Sequence, residues 1–428
     1  MKKQDRTLLY LMMIGLSILL IMRDIYGVSL SKFIYFCFVA AFMVAANYQT
    51  LVQMVCFILP LVCGLPATYI MLVILALLIV KRKTIKMIQF LPLFLLLLLE
   101  LFAAMWYPSL QLSTIVQYIS FAGVMIFLIN DDKELDHLQC VRLYVLGTLL
   151  VCGVIVYATL KGAPDNWTKL FSEGQFRFGN EHVDEAKMHL TMNANSLAYY
   201  SLVGMACCLL LVDKTDRMKK IWYIALASFF VVVGFLSLSR SWLLMAAICL
   251  LLYIMSKLRS PKQFITLFVV LAILIGVATV YLNQNPELVS GFETRFNDES
   301  MESGGNRTNI FRKYMEVFFA NPRFVFLGAG VTQTNIAVGS EGSMHNGLQQ
   351  ILVCCGSLGF LLYMYVLGTP VLKACSKRKV PLVYWLPLLS VVAFTQTIQF
   401  LNPMMLMLPY AIGVYSLKCA KDSGTSGT

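Results

Sequence analysis

The stretch Ile224-Ala-Leu-Ala-Ser-Phe-Phe-Val-Val-Val-Gly-Phe235 carries no charge and leads directly into Leu236-Ser237-Leu238-Ser239-Arg240-Ser241-Trp242. Apolar runs of this kind recur along the chain, as at 91–99 and 264–281, with short polar segments between them. A helix needs about 20 mostly apolar residues to cross a bilayer. The repeated pattern therefore predicts an all-α polytopic membrane protein.

The composition supports the same class. Of the 428 residues, 59% are hydrophobic and 13% are charged, whereas soluble domains carry about 25% charged residues. The net charge of +12 does not indicate a nucleic-acid partner, because the basic residues lie in small clusters between apolar runs. The twelve cysteines show no metal-ligand spacing, and we expect no metal or cofactor. We interpret residues 1–428 as one integral membrane domain, with 422–428 as a flexible cytoplasmic tail.

The apolar runs divide into about fourteen predicted spans. They lie near 7–22, 33–46, 50–63, 67–80, 87–105, 113–129, 142–160, 194–212, 221–236, 241–256, 263–282, 347–372, 382–398 and 402–417. Several are shorter than the roughly 20 residues of a straight crossing. The number falls to twelve if some pairs near the N-terminus are re-entrant.

The basic clusters set the predicted orientation, because Lys and Arg stay cytoplasmic in short loops. With Lys2, Lys3 and Arg6 inside, fourteen alternating spans leave most basic clusters inside. Both termini are then cytoplasmic, and the two long polar loops, 161–193 and 283–345, are external. Since chemistry is commonly carried by extended loops, we expect the function on the outer face.

Arg240 breaks this charge pattern, because it lies in a very short outside loop between two serines. An arginine flanked by hydroxyl groups suits an oxygen-rich anion. The alternative interpretation is an arginine that snorkels to a headgroup phosphate without further function.

The second candidate element is Gly304-Gly305-Asn306-Arg307-Thr308, which precedes a predicted amphipathic helix at 309–320. Its apolar residues recur at helical spacing and its charged residues lie opposite. The apolar set is Ile310, Phe311, Tyr314, Met315, Phe318 and Phe319, and the charged set is Arg312, Lys313 and Glu316. The start of a helix beside Arg307 is a candidate anion site. The alternative is a surface helix with solvated charges.

The third candidate is His345, which lies where the long outer loop re-enters the membrane. An imidazole there can accept a proton near neutral pH, and Asn346 can orient it or cap the following helix. The alternative is an interfacial capping histidine with no chemistry. Glu100 is a further anomaly, a carboxylate in an apolar span, and such groups are usually paired. Arg240 is a candidate partner for it.

The order and spacing of these elements resemble the family of O-antigen ligases and Wzy-type polysaccharide polymerases over roughly residues 190–370. The elements that carry the resemblance are Asn193-Ala194-Asn195, Ser239-Arg240-Ser241, Asn306-Arg307 with its helix, Pro322-Arg323-Phe324 with Gly328-Ala329-Gly330, and His345-Asn346 with Gly356-Ser357-Leu358-Gly359.

The resemblance implies an inverting, metal-independent glycosyltransferase that uses an undecaprenyl-diphosphate-linked oligosaccharide donor and a glycan acceptor. Arg240 and Arg307 would bind the donor diphosphate, and His345 would be the catalytic base. Supporting roles would fall to Asn346, Ser239, Ser241, Arg312, Arg323 and Asn195. The acidic group Asp298, Glu299 and Glu302 offers a cation site, but it lacks regular ligand spacing and we interpret it as solvated loop charge.

Three functions remain open. The preferred one is a polymerase of lipid-linked repeat units that makes surface polysaccharide (O-antigen, capsule or exopolysaccharide) on the outer face of the bacterial cytoplasmic membrane. A ligase would transfer the glycan to a different acceptor, and the fourteen spans favour the polymerase mildly. The third is a lipid-linked oligosaccharide transporter, which should place ionisable groups at mid-membrane. Expected partners are membrane lipids, a flippase and a chain-length regulator.

Overall fold

The computed structural model describes residues 3–82, 90–105, 112–131, 135–172, 176–179, 192–258, 307–331, 344–376, 379–397 and 404–420, with the single residues 265, 276, 280 and 339. These residues form helices and their connections, with no strand among them. The predicted span 263–282, most of the loop 283–345 and the tail 422–428 lie outside the described residues.

The first half of the chain supplies nine α-helices among the described residues. They are α1 (Lys3–Asp24), α2 (Lys32–Ala45), α3 (Tyr48–Ile58), α4 (Ala67–Arg82), α5 (Leu91–Ala104), α6 (Leu112–Ile129), α7 (His137–Lys161), α8 (Trp167–Ser172) and α9 (Ala194–Lys214). A 3₁₀ helix, Leu59–Gly64, extends α3 where Pro60 removes an N–H donor.

The second half supplies seven more among the residues that the structure describes. They are α10 (Arg217–Leu236), α11 (Arg240–Lys257), α12 (Arg307–Ala320), α13 (Pro322–Leu327), α14 (Gly347–Cys375), α15 (Leu382–Phe394) and α16 (Pro409–Lys418). The 3₁₀ turn Met404–Met407 precedes α16.

Seven of these helices are long and apolar enough to cross a membrane: α1, α6, α7, α9, α10, α11 and α14. Four shorter apolar segments add to them, at Lys32–Ala45, Tyr48–Gly64, Leu91–Ala103 and Leu382–Phe394. The protein is therefore an all-helical polytopic membrane protein. The number fourteen and the single-domain organisation stay predictions.

Helix α9 lies at the centre of the bundle. Its apolar window is almost wholly buried, whereas only a small part of the corresponding windows of α10 and α11 is buried. Close approach is provided by small residues, because Gly204 of α9 lies against the ring of Phe230 and Gly147 of α7 lies against the backbone of Phe57. Small residues at helix contacts are typical of membrane bundles, where apolar side chains gain little by leaving lipid.

Basic residues predicted to be cytoplasmic meet at one end of the bundle. Arg82 pairs with Asp131 at 3.6 Å, and Lys418 donates to the carbonyl of Asp131 at 2.9 Å. Lys257 pairs with Asp213 at the ends of α11 and α9. These contacts bring together helix ends that the charge pattern assigns to one side, while the membrane face to which this end belongs stays a prediction.

The opposite end is held by a separate set of contacts. Arg23 forms a two-pronged pair with Asp24 and donates to the carbonyl of Gly64 at 2.6 Å. Lys161 donates to the carbonyl of Ile25 at 3.1 Å. This end also carries the start of α11, where Arg240 lies.

Candidate active site

Helix α12 confirms the predicted amphipathic helix and begins at Arg307, two residues earlier than expected. Tyr314 and Phe318 are fully buried, whereas Arg312, Lys313 and Glu316 are exposed. The helix ends at Ala320. Its buried stripe fixes the helix on the bundle, so that its N-terminal turn has a defined position.

The two residues that follow His345 at the start of α14 are fixed by hydrogen bonds. Asn346 caps the helix, since its side-chain oxygen accepts from the N–H of Gln349 at 3.0 Å. The N–H of Gly347 donates to the carbonyl of Thr395 at the end of α15, at 2.7 Å. The predicted capping role of Asn346 is therefore confirmed. The cap places the half-buried His345 directly before the start of α14.

The first turn of α12 and His345 line one cleft of about 310 Å³. Its lining is Thr308, Ile310, Phe311, His345, Asn346, Gln349, Gln396 and Thr397. The two sides are tied together by the side-chain amide of Gln349, which donates to the carbonyl of Phe311 at 3.0 Å. The cleft thus combines an imidazole, amide and hydroxyl groups and the start of a helix, where free backbone N–H groups favour anions.

An apolar groove of about 200 Å³ adjoins this cleft. It lies between α14, α15 and α16 and shares Gln396 with the cleft. Its other lining residues are Gly347, Leu348, Ile351, Met364, Leu367, Gly368, Val391, Val392, Thr395 and Tyr410. A polar mouth that continues into an apolar groove suits an amphiphile.

Arg240 begins α11 after a tight turn. The hydroxyl of Ser237 donates to the carbonyl of Gly234 at 2.6 Å, and Leu238 has a φ of 47°. A non-glycine residue in this left-handed region costs of order 1 kcal/mol and is held there by its surroundings. Ser239 is buried, while Arg240 and Ser241 are half-buried. The turn therefore presents the arginine from a fixed backbone.

Arg240 is not among the described residues that line the cleft. Helix α15 and its end contact both α11 and the start of α14. The hydroxyl of Ser390 on α15 contacts the sulfur of Cys249 on α11 at 3.8 Å, while Thr395 accepts from Gly347 on the other side. The structure therefore brings His345 together with the start of α12, while the grouping of Arg240 with them stays a prediction.

A segment that the sequence did not single out lies against the Arg240 turn. The N–H of Phe178 donates to the carbonyl of Leu236 at 3.1 Å, and the hydroxyl of Thr159 donates to the carbonyl of Gly179 at 3.2 Å. Phe178 also packs edge-on against Trp167, with ring centroids 5.8 Å apart. This docking places Arg177 at the same helix end as Arg240. The signal in the sequence is an arginine between two aromatic anchors.

The remaining supporting candidates lie at helix starts. Asn321 caps α13 by accepting from the N–H of Arg323 at 3.1 Å, and the guanidinium of Arg323 lies 5.1 Å from the ring of Phe324. The side-chain oxygen of Asn193 caps α9 by accepting from the N–H of Ser196 at 2.8 Å. Asn195 is half-buried in the first turn of α9. In these two motifs the asparagines before the helices cap them.

No group of three His, Cys, Asp or Glu side chains that could hold a metal ion occurs within the described part of the chain. The acidic group Asp298, Glu299 and Glu302 lies outside that part.

Residues 223–364, about a third of the chain, match the family model of the O-antigen ligases. The resemblance to the O-antigen ligase and Wzy-type family is confirmed over this segment. The match runs from α10 into α14 and contains Arg240, Arg307 and His345. Comparison with curated proteins and with solved structures finds no match. The family consists of glycosyltransferase-like membrane enzymes acting on lipid-linked glycans.

Proposed function

We propose that this protein polymerises undecaprenyl-diphosphate-linked oligosaccharide repeat units on the outer face of a bacterial cytoplasmic membrane. The observation that carries the proposal is the cleft in which His345 faces the first turn of α12, within the family-matched segment. A proton acceptor beside an anion-favouring helix start supports glycosyl transfer from a diphosphate donor.

In the proposed reaction, an acceptor hydroxyl attacks the anomeric carbon of the donor sugar. His345 accepts the hydroxyl proton while the bond from that carbon to the phosphate oxygen breaks. Direct attack inverts the anomeric configuration and needs neither a covalent intermediate nor a metal. The products are the extended lipid-linked glycan and undecaprenyl diphosphate.

The leaving group gains charge as the bond breaks, and fixed cations stabilise it. We assign this role to Arg307 at the start of α12 and to Arg240 at the start of α11. We add Arg177 to these cations, because the hydrogen bond from Phe178 to Leu236 holds it beside the Arg240 turn. Loss of one such contact typically costs about 10²–10³ in rate.

The adjoining apolar groove supports a lipid-anchored donor. It shares Gln396 with the cleft, so a diphosphate at the cleft and an isoprenoid tail in the groove would belong to one molecule. We assign the groove to the first isoprene units of the donor. A flippase would supply such donors to the outer leaflet, and a chain-length regulator would act on the growing product.

A ligase is the second candidate, because the matched family model is described as O-antigen ligase. The ligase would use the same donor site and pass the glycan to a different acceptor. The two therefore differ in the acceptor and not in the role of His345.

Purified full-length protein in liposomes, supplied only with synthetic lipid-linked repeat units, tests the proposal. We expect a ladder of lengthening lipid-linked products. A single product that forms only after a foreign acceptor is added would favour the ligase. Movement of the donor across the bilayer with no new glycosidic bond would contradict both and indicate a transporter.

A further inference from the structure

Glu100 is a carboxylate inside the apolar helix α5, and its side chain is only 4% exposed. A charged group at this depth is costly unless it has a partner. One carboxylate oxygen accepts the N–H of Val331 at 2.6 Å. The carboxylate thus binds the main chain that follows α13, while its pairing with Arg240 stays a prediction.

The segment held by Glu100 fills a break in α14. Gly356 has φ 67° and ψ −178°, so the helix is interrupted there. The carbonyls of Val353 and Cys354 accept instead from the N–H groups of Ala329 and Gly330, at 2.9 and 2.8 Å. Irregular backbone at membrane depth is tolerated when protein groups satisfy it in this way.

Glycines make the insertion possible. A Cβ on Gly328 would overlap the backbone of Cys354, and a Cβ on Gly356 would overlap the backbone of Phe326. A Cβ on Gly330 would lie 3.3 Å from a carboxylate oxygen of Glu100. The hydroxyl of Ser357 adds a bond to the carbonyl of Val325 at 2.6 Å. The backbone of the inserted segment therefore lies in direct contact with the backbone at the break in α14.

The same two elements carry the cleft. The unit α12–α13 begins at Arg307, and the outer part of α14 begins just after His345. They are joined near the cleft by Gln349 and Phe311, and near the break by the main-chain bonds. Glu100 ties the end of this pair to α5, which lies outside the family-matched residues.

We propose that Glu100 is a positioning residue: its hydrogen bond to Val331 fixes the break in α14 and thereby the placement of His345 against the start of α12. This inference rests on the proposed function for its catalytic consequence. Its structural part stands on the contacts alone. Misplacement of a catalytic group by about 1 Å can cost about 10²-fold in rate.

The test compares Glu100→Met, which keeps the length of the side chain but removes the acceptor, with Glu100→Gln, which keeps an acceptor oxygen without charge. Leu101→Met, on a lipid-exposed side of the same helix, is the matched control. Full-length protein in nanodiscs is measured for turnover of lipid-linked repeat units and for hydrogen exchange over 325–331 and 344–356.

We expect Glu100→Met to lower kcat by about 10²-fold while the KM for the donor stays near the wild-type value. Glu100→Gln should retain most of the turnover, and exchange should rise in both segments only in Glu100→Met. Wild-type turnover in Glu100→Met, or an equal loss in Glu100→Gln, would overturn the proposal.

The exchange measurement separates this inference from the proposed function. If the wild-type protein makes no ladder of lipid-linked products, the proposed function fails. Hydrogen exchange alone then tests whether the bond from Val331 to Glu100 fixes the break in α14. Faster exchange in Glu100→Met than in Glu100→Gln then supports it, and equal exchange in the two variants overturns it.

Discussion

At the residue scale, the sequence predicts helix caps better than it predicts which distant residues lie close together. The cap by Asn346 can be predicted because an asparagine before an apolar run commonly caps a helix. The position of Arg240 relative to His345 cannot be predicted from the sequence, because it depends on how α11 and the start of α14 each contact α15 and its end. Arg177 was missed for the same reason, since its placement follows from a tertiary hydrogen bond.

Arg307 provides the sharpest test at this scale. Arg307→Lys keeps the positive charge but loses the planar pair of donors that matches two phosphate oxygens. We expect the rate of polymer formation to fall by about 10²-fold. The measurement is the initial rate with lipid-linked repeat units in liposomes.

Arg217→Lys is the matched control, because Arg217 also begins a helix but lies at the other end of α10 from the Arg240 turn, and it is exposed. It should retain the wild-type rate. Wild-type activity in Arg307→Lys would remove Arg307 from the diphosphate site.

At the element scale, hydropathy and periodicity predict which segments are helices but not how they bend. The apolar and charged faces of 309–320 predicted an amphipathic helix, and α12 bears this out. The run at 347–372 predicted one span, whereas α14 is interrupted at Gly356. Average hydropathy carries no information on the backbone angle φ, so it does not predict the break. In the sequence the break shows only as Gly356, and the segment that fills it, Gly328-Ala329-Gly330, is distant in sequence.

The apolar groove beside the cleft yields a prediction about the donor tail. Gly368 lines the groove and has open space where a Cβ would be placed, so Gly368→Leu should fold and fill it. We expect the KM for an undecaprenyl-linked donor to rise about tenfold, since each buried CH₂ contributes about 0.8 kcal/mol and 1.4 kcal/mol is a factor of ten. A donor with a short isoprenoid tail should be much less affected.

Gly153→Leu on α7 is the control, because Gly153 is also half-buried and has open space at its Cβ. Equal KM values for long-tailed and short-tailed donors in Gly368→Leu would show that the groove does not hold the tail.

At the scale of the whole molecule, the distribution of charge predicts which helix ends lie together. The contacts of Arg82 with Asp131, and of Lys257 with Asp213, join ends that the positive-inside rule assigns to one side. Because burying a charge in the bilayer is costly at every loop, the placement of the charged residues along the sequence is enough to predict which helix ends lie on one side. Which helices pack around α9 depends on contacts between small residues and aromatic rings, such as that of Gly204 with Phe230. The pattern of apolar runs in the sequence does not predict these contacts.

The release of undecaprenyl diphosphate during glycan extension tests the central claim most directly. In liposomes that contain purified protein and lipid-linked repeat units, wild-type protein should release one polyprenyl diphosphate for each glycosidic bond formed. His345→Ala should insert normally and lower this rate by about 10²–10⁴-fold, the usual contribution of a positioned base. Release and extension at the wild-type rate in His345→Ala would contradict the account.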